Sequence, residues 1–282
     1  MRSYRYRLLN VFAIEGQRLS GNPLCVFEDA RGLDDATMQA LSLQFNLSET
    51  TFIFPSEAAT ARVRIFTPSF ELPFAGHPTL GTAQVVSDLF NVSTELRLEM
   101  KAGIIPVSSD GTSWSLQANP PRFRKVSVEP AALADMLGLS TLDLDDSPLW
   151  VDTGTEQLLV PLKSADAVRR CQPNAELLRR HGPLSDTRFL VYVWAPATEH
   201  EIVARFFFAK GMSVVEDPAT GSACANLGGW FIATQAALPL HRRVSQGEAV
   251  GRASQLELNV DAQQRITVAG RVIELGRGVI EI

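Results

Sequence analysis

Two Pro/Gly turns, each running straight into an apolar helical stretch, stand about half the chain apart in this 282-residue sequence. The first is Pro73-Phe74-Ala75-Gly76-His77-Pro78 and the second is Asp217-Pro218-Ala219-Thr220-Gly221-Ser222. In each half, strand-like segments precede the turn and more strands follow the helix, so the chain reads as a diverged duplication of one α+β unit. A Pro/Gly turn that opens a helix also presents free backbone N–H groups and the positive end of the helix dipole, which makes it an anion site. Two such helix starts could face one another across a cleft.

In the first half, Tyr4, Tyr6 and Leu8 alternate with Arg5 and Arg7, which predicts a strand exposed on one side. Gly21-Asn22-Pro23 reads as a turn. Asp34 suits a helix N-cap, Met38, Leu41 and Phe45 recur at helical spacing, and Asn46 suits the stop. Strands are expected over 51–54 and 62–66. Pro78 suits the first helical position of the next helix, whose apolar face runs through Leu80, Ala83, Val86 and Phe90. A meander over 96–100, 103–107 and 114–118 then ends at Asn119-Pro120-Pro121-Arg122, the candidate linker. The second half is read as helices over 131–137 and 164–180, strands over 158–161, 189–194 and 203–208, the Asp217 turn with Ser222 as cap, an apolar helix, and closing strands over 256–260, 266–269, 272–275 and 279–282. The domain reading is 1–118 for an N-terminal lobe, completed by a last strand at 271–282, and 119–270 for a C-terminal lobe.

Composition narrows the function by exclusion. A formal net charge of −5, a pI near 5.5 and no Lys/Arg-rich run leave no footprint for nucleic acid. The apolar stretch after the basic N-terminus is cut by Asn10 and Glu15, so no signal peptide is expected, and the 223–238 segment is broken by Asn226, Thr234 and Gln235, so no membrane span is expected. The 3 cysteines, Cys25, Cys171 and Cys224, are far apart and odd in number, which suits a reducing cytoplasm. His200-Glu201 begins like a zincin motif but has Ala204 where the second histidine belongs, and no P-loop, G-x-S-x-G elbow or dinucleotide fingerprint is present. No metal and no cofactor are expected.

Some polar residues stand out against bland alternatives. His77, between Gly76 and Pro78 at a helix mouth, is placed to meet a ligand. Asp217, at the second mouth, is placed to handle a proton or bind an amine. Ser222 reads as an N-cap, a role compatible with ligand binding. Glu49 is one acid at a strand edge, and Glu71 and Glu216 compete with it on spacing alone. Cys224 lies near the helix start, where a dipole would lower its pKa, though small buried cysteines are common. Arg122 and Arg124 read as surface charges.

Taken in order, Ser20-Gly21-Asn22-Pro23, Asn46-Leu47-Ser48-Glu49-Thr50, Arg64-Ile65-Phe66-Thr67-Pro68, Glu71 to Gly81 and Glu216 to Ala223 strongly resemble the PhzF-type phenazine-biosynthesis family of isomerase-like proteins. The resemblance covers essentially the whole chain, including Gln246-Gly247. It implies an α+β, diaminopimelate epimerase-like fold: two pseudo-symmetric lobes, each a central helix wrapped by mostly antiparallel strands, with the active site in the inter-lobe cleft. It implies Glu49 as the acid/base, His77 and Asp217 beside it, and Gly76, Gly221, Ser222, Asn22 and Thr220 as substrate-binding positions for a small carboxylate. It also implies a homodimer without a cofactor, and the cysteine pattern makes the expected location cytoplasmic. Proline racemases and the epimerase carry a cysteine before the glycine of each turn, and Ala75 stands there in the first turn, with Cys224 as an unpartnered thiol in the second half. Two-base thiol chemistry is therefore disfavoured.

The expected reaction is an isomerisation in which Glu49 takes a proton from an activated carbon and returns it to another. A glutamate doing both jobs should lie in a partly apolar pocket, for which Phe52, Phe54 and Phe74 are candidates. The alternatives are an epimerase or racemase with Glu49 and Asp217 as opposed bases, and a non-catalytic protein that binds small carboxylates.

Overall fold

The structure, a computed structural model, describes residues 1–185 and 188–282. Its contacts divide the chain into two units, Met1–Gln117 with Ala269–Ile282, and Ala118–Val268.

In the first unit the strand Ser3–Val11 pairs antiparallel with Asn22–Phe27 on one side and with Val272–Glu281 on the other. Asn22–Phe27 then pairs in parallel with Thr50–Phe54, and the helix α1, Asp35–Phe45, makes that crossover. Its ends follow the sequence: the Asp34 carboxylate accepts from the Thr37 N–H at 2.8 Å, and Asn46 takes the left-handed conformation, φ 52°, that closes the helix. Thr50–Phe54 continues antiparallel to Ala61–Phe66, which pairs in parallel with Glu95–Met100 across the helix α2, Gly76–Phe90. Glu95–Met100, Gly103–Ser109 and Trp114–Gln117 form the expected antiparallel meander.

The strand Thr50–Phe54 shows how the two faces of this sheet are used. Phe52 turns into the α1 side, stacked on Phe27 at 4.9 Å and edge-on to Phe66 at 5.5 Å, with Met38 in the same cluster. Thr51 turns the other way and its hydroxyl meets that of Thr82 on α2 at 2.8 Å. Residues His77 through Ala83 of α2 are all buried, as a helix that is apolar on most sides must be. Gly81 permits this depth, since a Cβ there would stand 2.5 Å from Leu24 Cδ2 and 2.8 Å from Val11 Cγ2. Phe90, expected on the apolar face, is exposed in the last turn, which Asn91 closes in the left-handed conformation.

In the second unit Leu149–Asp152 lies between Arg122–Lys125 and Glu156–Pro161, and Glu156–Pro161 pairs in parallel with Arg188–Pro196. Glu201–Lys210 follows antiparallel, flanked by Ser213–Asp217 and, in parallel, by Leu240–Gln246, which pairs with Ser254–Val260. Helices α3 (Pro130–Leu137), α4 (Ala165–Arg170) and α5 (Ala175–His181) join one core with Leu158, Val160, Val191, Val193 and Phe207. The single helix expected over 164–180 is thus two helices. Pro173 disfavours helix at the residue before it, and Asn174 starts a new one by accepting from the N–H groups of Glu176 and Leu177. The buried central helix is α6, Gly221–Ala233, and Gly229 lets it approach the sheet, where a Cβ would stand 2.7 Å from Val151 Cγ1.

Other readings change with the structure. The strands Asn22–Phe27, Leu149–Asp152 and Leu240–Gln246 carry no clean alternation; the first begins with Asn22-Pro23, read as part of a turn. The two short closing strands are one, Val272–Glu281, with Gly276 and Gly278 opposite Leu8 and Tyr6. Arg7, read as exposed, is buried, and its guanidinium meets Glu28 at 2.6 Å, Asp88 at 2.7 Å and Glu274 at 3.0 Å. A buried cation with three carboxylates satisfies the rule that interior charges are paired. No helix among the described residues is long and apolar enough to cross a membrane.

Candidate active site

The mouth of α2 is built around a carboxylate and an imidazole. Ala75 is the extended residue before the helix and makes no side-chain cap, Gly76 is the first helical residue and His77 the second. Pro78 is the third helical residue and not the first; it is tolerated there because first-turn N–H groups lack intrahelical acceptors anyway. The Thr79 hydroxyl donates to the Ala75 carbonyl at 2.6 Å and ties the turn to the helix. His77 is 5% exposed, and its Nδ1 lies 3.1 Å from Oε2 of Glu49, the residue just before the strand Thr50–Phe54. His77 Nε2 is buried and, among the described residues, has no hydrogen-bond partner. A buried ring nitrogen left unpaired costs free energy unless something binds it, which makes it a contact point for a ligand.

Glu49 was one of three candidates, and the structure separates them. Glu71 is held by Arg64 through two bonds of 2.7 and 2.9 Å, and Glu216 by Arg205 through two of 3.1 and 2.7 Å. Both carboxylates are committed to bidentate guanidinium pairs, whereas among the described residues Glu49 meets only the His77 imidazole. Of the three phenylalanines expected around Glu49, Phe52 faces the α1 core and Phe54 lies under the Arg62 guanidinium at 5.3 Å, while Phe74 is half-buried in the loop before α2. Phe52 is therefore corrected to a core residue.

The mouth of α6 is built from amides and hydroxyls. Thr220, not Ser222, occupies the N-cap position, and its hydroxyl donates to Asp217 Oδ2 at 2.6 Å while accepting from Gln246 Nε2 at 3.0 Å. Gln246 also donates to the Asp217 carbonyl at 2.8 Å and receives the Thr220 N–H at 3.4 Å. The N–H groups of Gly221, Ser222 and Ala223 remain as first-turn donors, against only Gly76 and His77 in α2, where Pro78 has none. Neither first turn contains an acidic residue, so neither dipole is satisfied from within. Ser222 is the second helical residue, and its Oγ accepts from Gln157 Nε2 at 3.0 Å. Gln157 in turn accepts from Asn226 Nδ2 at 2.8 Å.

The structure thus brings together Glu49, His77 and Gly76 in the first unit, and Asp217, Thr220, Gly221 and Ser222 in the second. Asn22 is buried at the start of its strand, opposite Val11. Cys224 is fully buried, and burial pushes its thiol far up, so the helix dipole does not activate it. Arg124 is more than a surface charge, since it bonds Glu156 and lies 4.4 Å above the Trp150 ring. Gln157, Asn226 and Gln246 were missed as contributors; Asn226 had shown itself only as a polar break in an apolar run, one helical turn after Ser222. Among the described residues, no group of three or more His, Cys, Asp or Glu is placed to hold a metal ion.

The family model described as "Phenazine biosynthesis-like protein" matches residues 9–278. An uncharacterized isomerase of Pasteurella multocida is 38% identical over 98% of this chain and 93% of its own length. A trans-2,3-dihydro-3-hydroxyanthranilate isomerase of Pseudomonas aeruginosa is 36% identical over 90% of this chain and 89% of its own. Among solved structures, a PhzF-family phenazine biosynthesis protein of Bacillus anthracis superposes with a TM-score of 0.87 over 100% of both chains at 24% identity. A hydroxyproline epimerase of Agrobacterium vitis does so with 0.64 at 11% identity, covering 99% and 91%. The fold is the α+β, epimerase-like one expected from the sequence.

Proposed function

Because the chain belongs to the phenazine biosynthesis-like protein family and is an isomerase, we propose that it moves a proton between two carbons of a small carboxylate-bearing substrate, with Glu49 as the single acid/base and no cofactor. The observation that carries this reading is the Glu49–His77 pair, 3.1 Å apart at the mouth of α2, with His77 Nε2 buried and without a partner among the described residues.

A glutamate that removes a proton from carbon and returns it elsewhere needs one oxygen held and one free. His77 holds Oε2, which leaves Oε1 to face the C–H bond. As Glu49 takes up the proton on Oε1, its Oε2 still accepts from Nδ1–H of His77, so the pair stays hydrogen-bonded without a second proton. With Nδ1–H donating to Oε2 throughout, Nε2 stays an acceptor and is placed to meet a donor group on the substrate. The negative charge that develops on the substrate is met by helix N–H groups, a fixed electrostatic contribution that costs no reorganisation during the reaction. At the mouth of α6 the Ser222 hydroxyl and first-turn N–H groups are suited to a carboxylate, and Asp217 with Thr220 to an amine or hydroxyl. The names of relatives support a ring substrate of the dihydro-hydroxyanthranilate kind as the first compound to test. Family resemblance likewise supports a homodimer, which sedimentation tests.

The deciding experiment is proton NMR in D2O with trans-2,3-dihydro-3-hydroxyanthranilate and a panel of amino- and hydroxy-carboxylates. An isomerase of this kind shifts a double bond and places deuterium at the carbon that gains the proton. Glu49→Gln keeps the shape and lowers turnover at least about a hundredfold. Undiminished turnover by that variant sinks the assignment, and labelling of one stereocentre with a mixture of isomers identifies an epimerase instead. Full activity after exhaustive dialysis against EDTA is the expected result for a reaction without a metal.

A further inference from the structure

The geometry points to Gln157 and Asn226 as positioning residues that fix the Ser222 hydroxyl as a hydrogen-bond donor toward a carboxylate. This rests on the reading of the α6 mouth as the carboxylate holder. The two amides are buried, Gln157 at 2% exposure and Asn226 at 0%, so every polar atom they carry must be satisfied inside the protein.

Backbone groups set the direction of the whole chain of bonds. The Thr153 N–H can only donate, and it meets Asn226 at 2.8 Å, so the atom there is Oδ1; the Thr153 hydroxyl donates to the same oxygen at 2.7 Å. Nδ2 therefore lies on the other side, where the Thr155 carbonyl, which can only accept, receives one hydrogen at 2.8 Å. The second hydrogen goes to Gln157 at 2.8 Å, which must present Oε1. Gln157 is left with Nε2 toward Ser222, 3.0 Å away. Both flips are thus decided by groups that cannot themselves flip.

The consequence falls on Ser222. Its oxygen is occupied as an acceptor, and among the described residues its hydroxyl hydrogen has no acceptor. At the second position of α6, half-buried, that hydrogen is available to a ligand that accepts, and the neighbouring N–H groups favour one that is anionic. Neither amide titrates, so the direction holds at every pH at which the protein is folded.

Gln157→Glu tests this by reversing one bond. A glutamate of the same shape still accepts from Asn226 but can no longer donate, so the Ser222 hydroxyl turns inward to it. The probes are anthranilate, the aromatic parent of the ring named for the relatives, and its neutral amide, measured by calorimetry on the full chain. The native protein should prefer anthranilate, and Gln157→Glu should weaken it at least tenfold. Ser222→Ala should do the same, and the double variant should be no weaker than either single one. Gln157→Met, which has no charge and cannot donate, guards against misfolding of the glutamate variant and should also show no added loss with Ser222→Ala. Losses that multiply in the double variants overturn the positioning role. No preference for anthranilate in the native protein instead overturns the carboxylate reading of the α6 mouth, and the inference with it.

Discussion

The mouths of α2 and α6 are the same piece of design carrying different chemistry. In each helix the second residue is the polar one that the proposed function uses, His77 in one and Ser222 in the other. His77 is partnered by a carboxylate, Glu49, and Ser222 by an amide, Gln157. One turn further on, α2 has Gly81 and α6 has Asn226. Gly81 brings the helix against Leu24 and Val11, while Asn226 fills the equivalent place with four hydrogen bonds. The difference teaches that one scaffold can carry two kinds of chemistry: the second helical residue is an imidazole beside a carboxylate in α2 and a hydroxyl beside an amide in α6, where the carboxylate, Asp217, lies before the helix and accepts from Thr220. A site that moves a proton needs a group that changes state, and a group that holds charge works best when it does not.

The largest test of this difference is to remove the proposed acid/base alone. Glu49→Gln keeps an oxygen for His77 and abolishes the base, so turnover should fall by about two to four orders of magnitude with little change in melting temperature. His77→Gln, which still donates to Glu49 but lacks the second ring nitrogen, should cost less, about tenfold. If His77→Gln proves the more damaging, the imidazole is the proton carrier and the assignment is reversed.

Next in size is a pair of changes that exchange the two designs one turn down. Asn226→Leu strands the Thr153 N–H and the Gln157 amide in the interior, and each unsatisfied buried group costs about 1–3 kcal/mol, so chemical denaturation should show a loss near the upper end of that range. Gly81→Ala puts a methyl group into a space already filled by Leu24 and Val11, both fully buried, at about 1–3 kcal/mol. If Asn226→Leu is neutral, the amides are packing material and the two mouths differ less than their geometry implies.

How much of this was legible follows from the range of each signal. Helix caps are local, so Asp34 and Asn46 bounded α1 correctly, and the turns at Gly76 and Gly221 marked both central helices. Pairing partners distant in sequence were not legible. Arg7 looked exposed because alternation describes one strand, while its burial depends on Glu28, Asp88 and Glu274, contributed from as far as the other end of the chain. The same holds at the site. Glu49, Glu71 and Glu216 were indistinguishable by spacing, and two of them are committed only because Arg64 and Arg205 sit across a strand pair. Asn226 was visible as an oddity in an apolar run, but the three residues that make its four hydrogen bonds lie more than sixty residues away.

The smallest expected effect concerns the thiols, and it bears on whether the α6 mouth is as inert as the comparison requires. Helix position argued for an activated Cys224, since a dipole lowers a nearby thiol pKa. Burial wins, because a thiolate at a site with no solvent loses far more hydration energy than a helix end returns; the Cys224 and Cys25 thiols are pushed well up, and that of Cys171 to about 12. Thiols held protonated react slowly with alkylating agents, and buried ones are also out of reach. Iodoacetamide at pH 8 should therefore leave all 3 cysteines of the native protein unmodified by mass and its activity unchanged, while the denatured chain takes up three labels. Rapid loss of activity with a single label on Cys224 would place a reactive acid/base at the second mouth after all, and with it a two-base reaction.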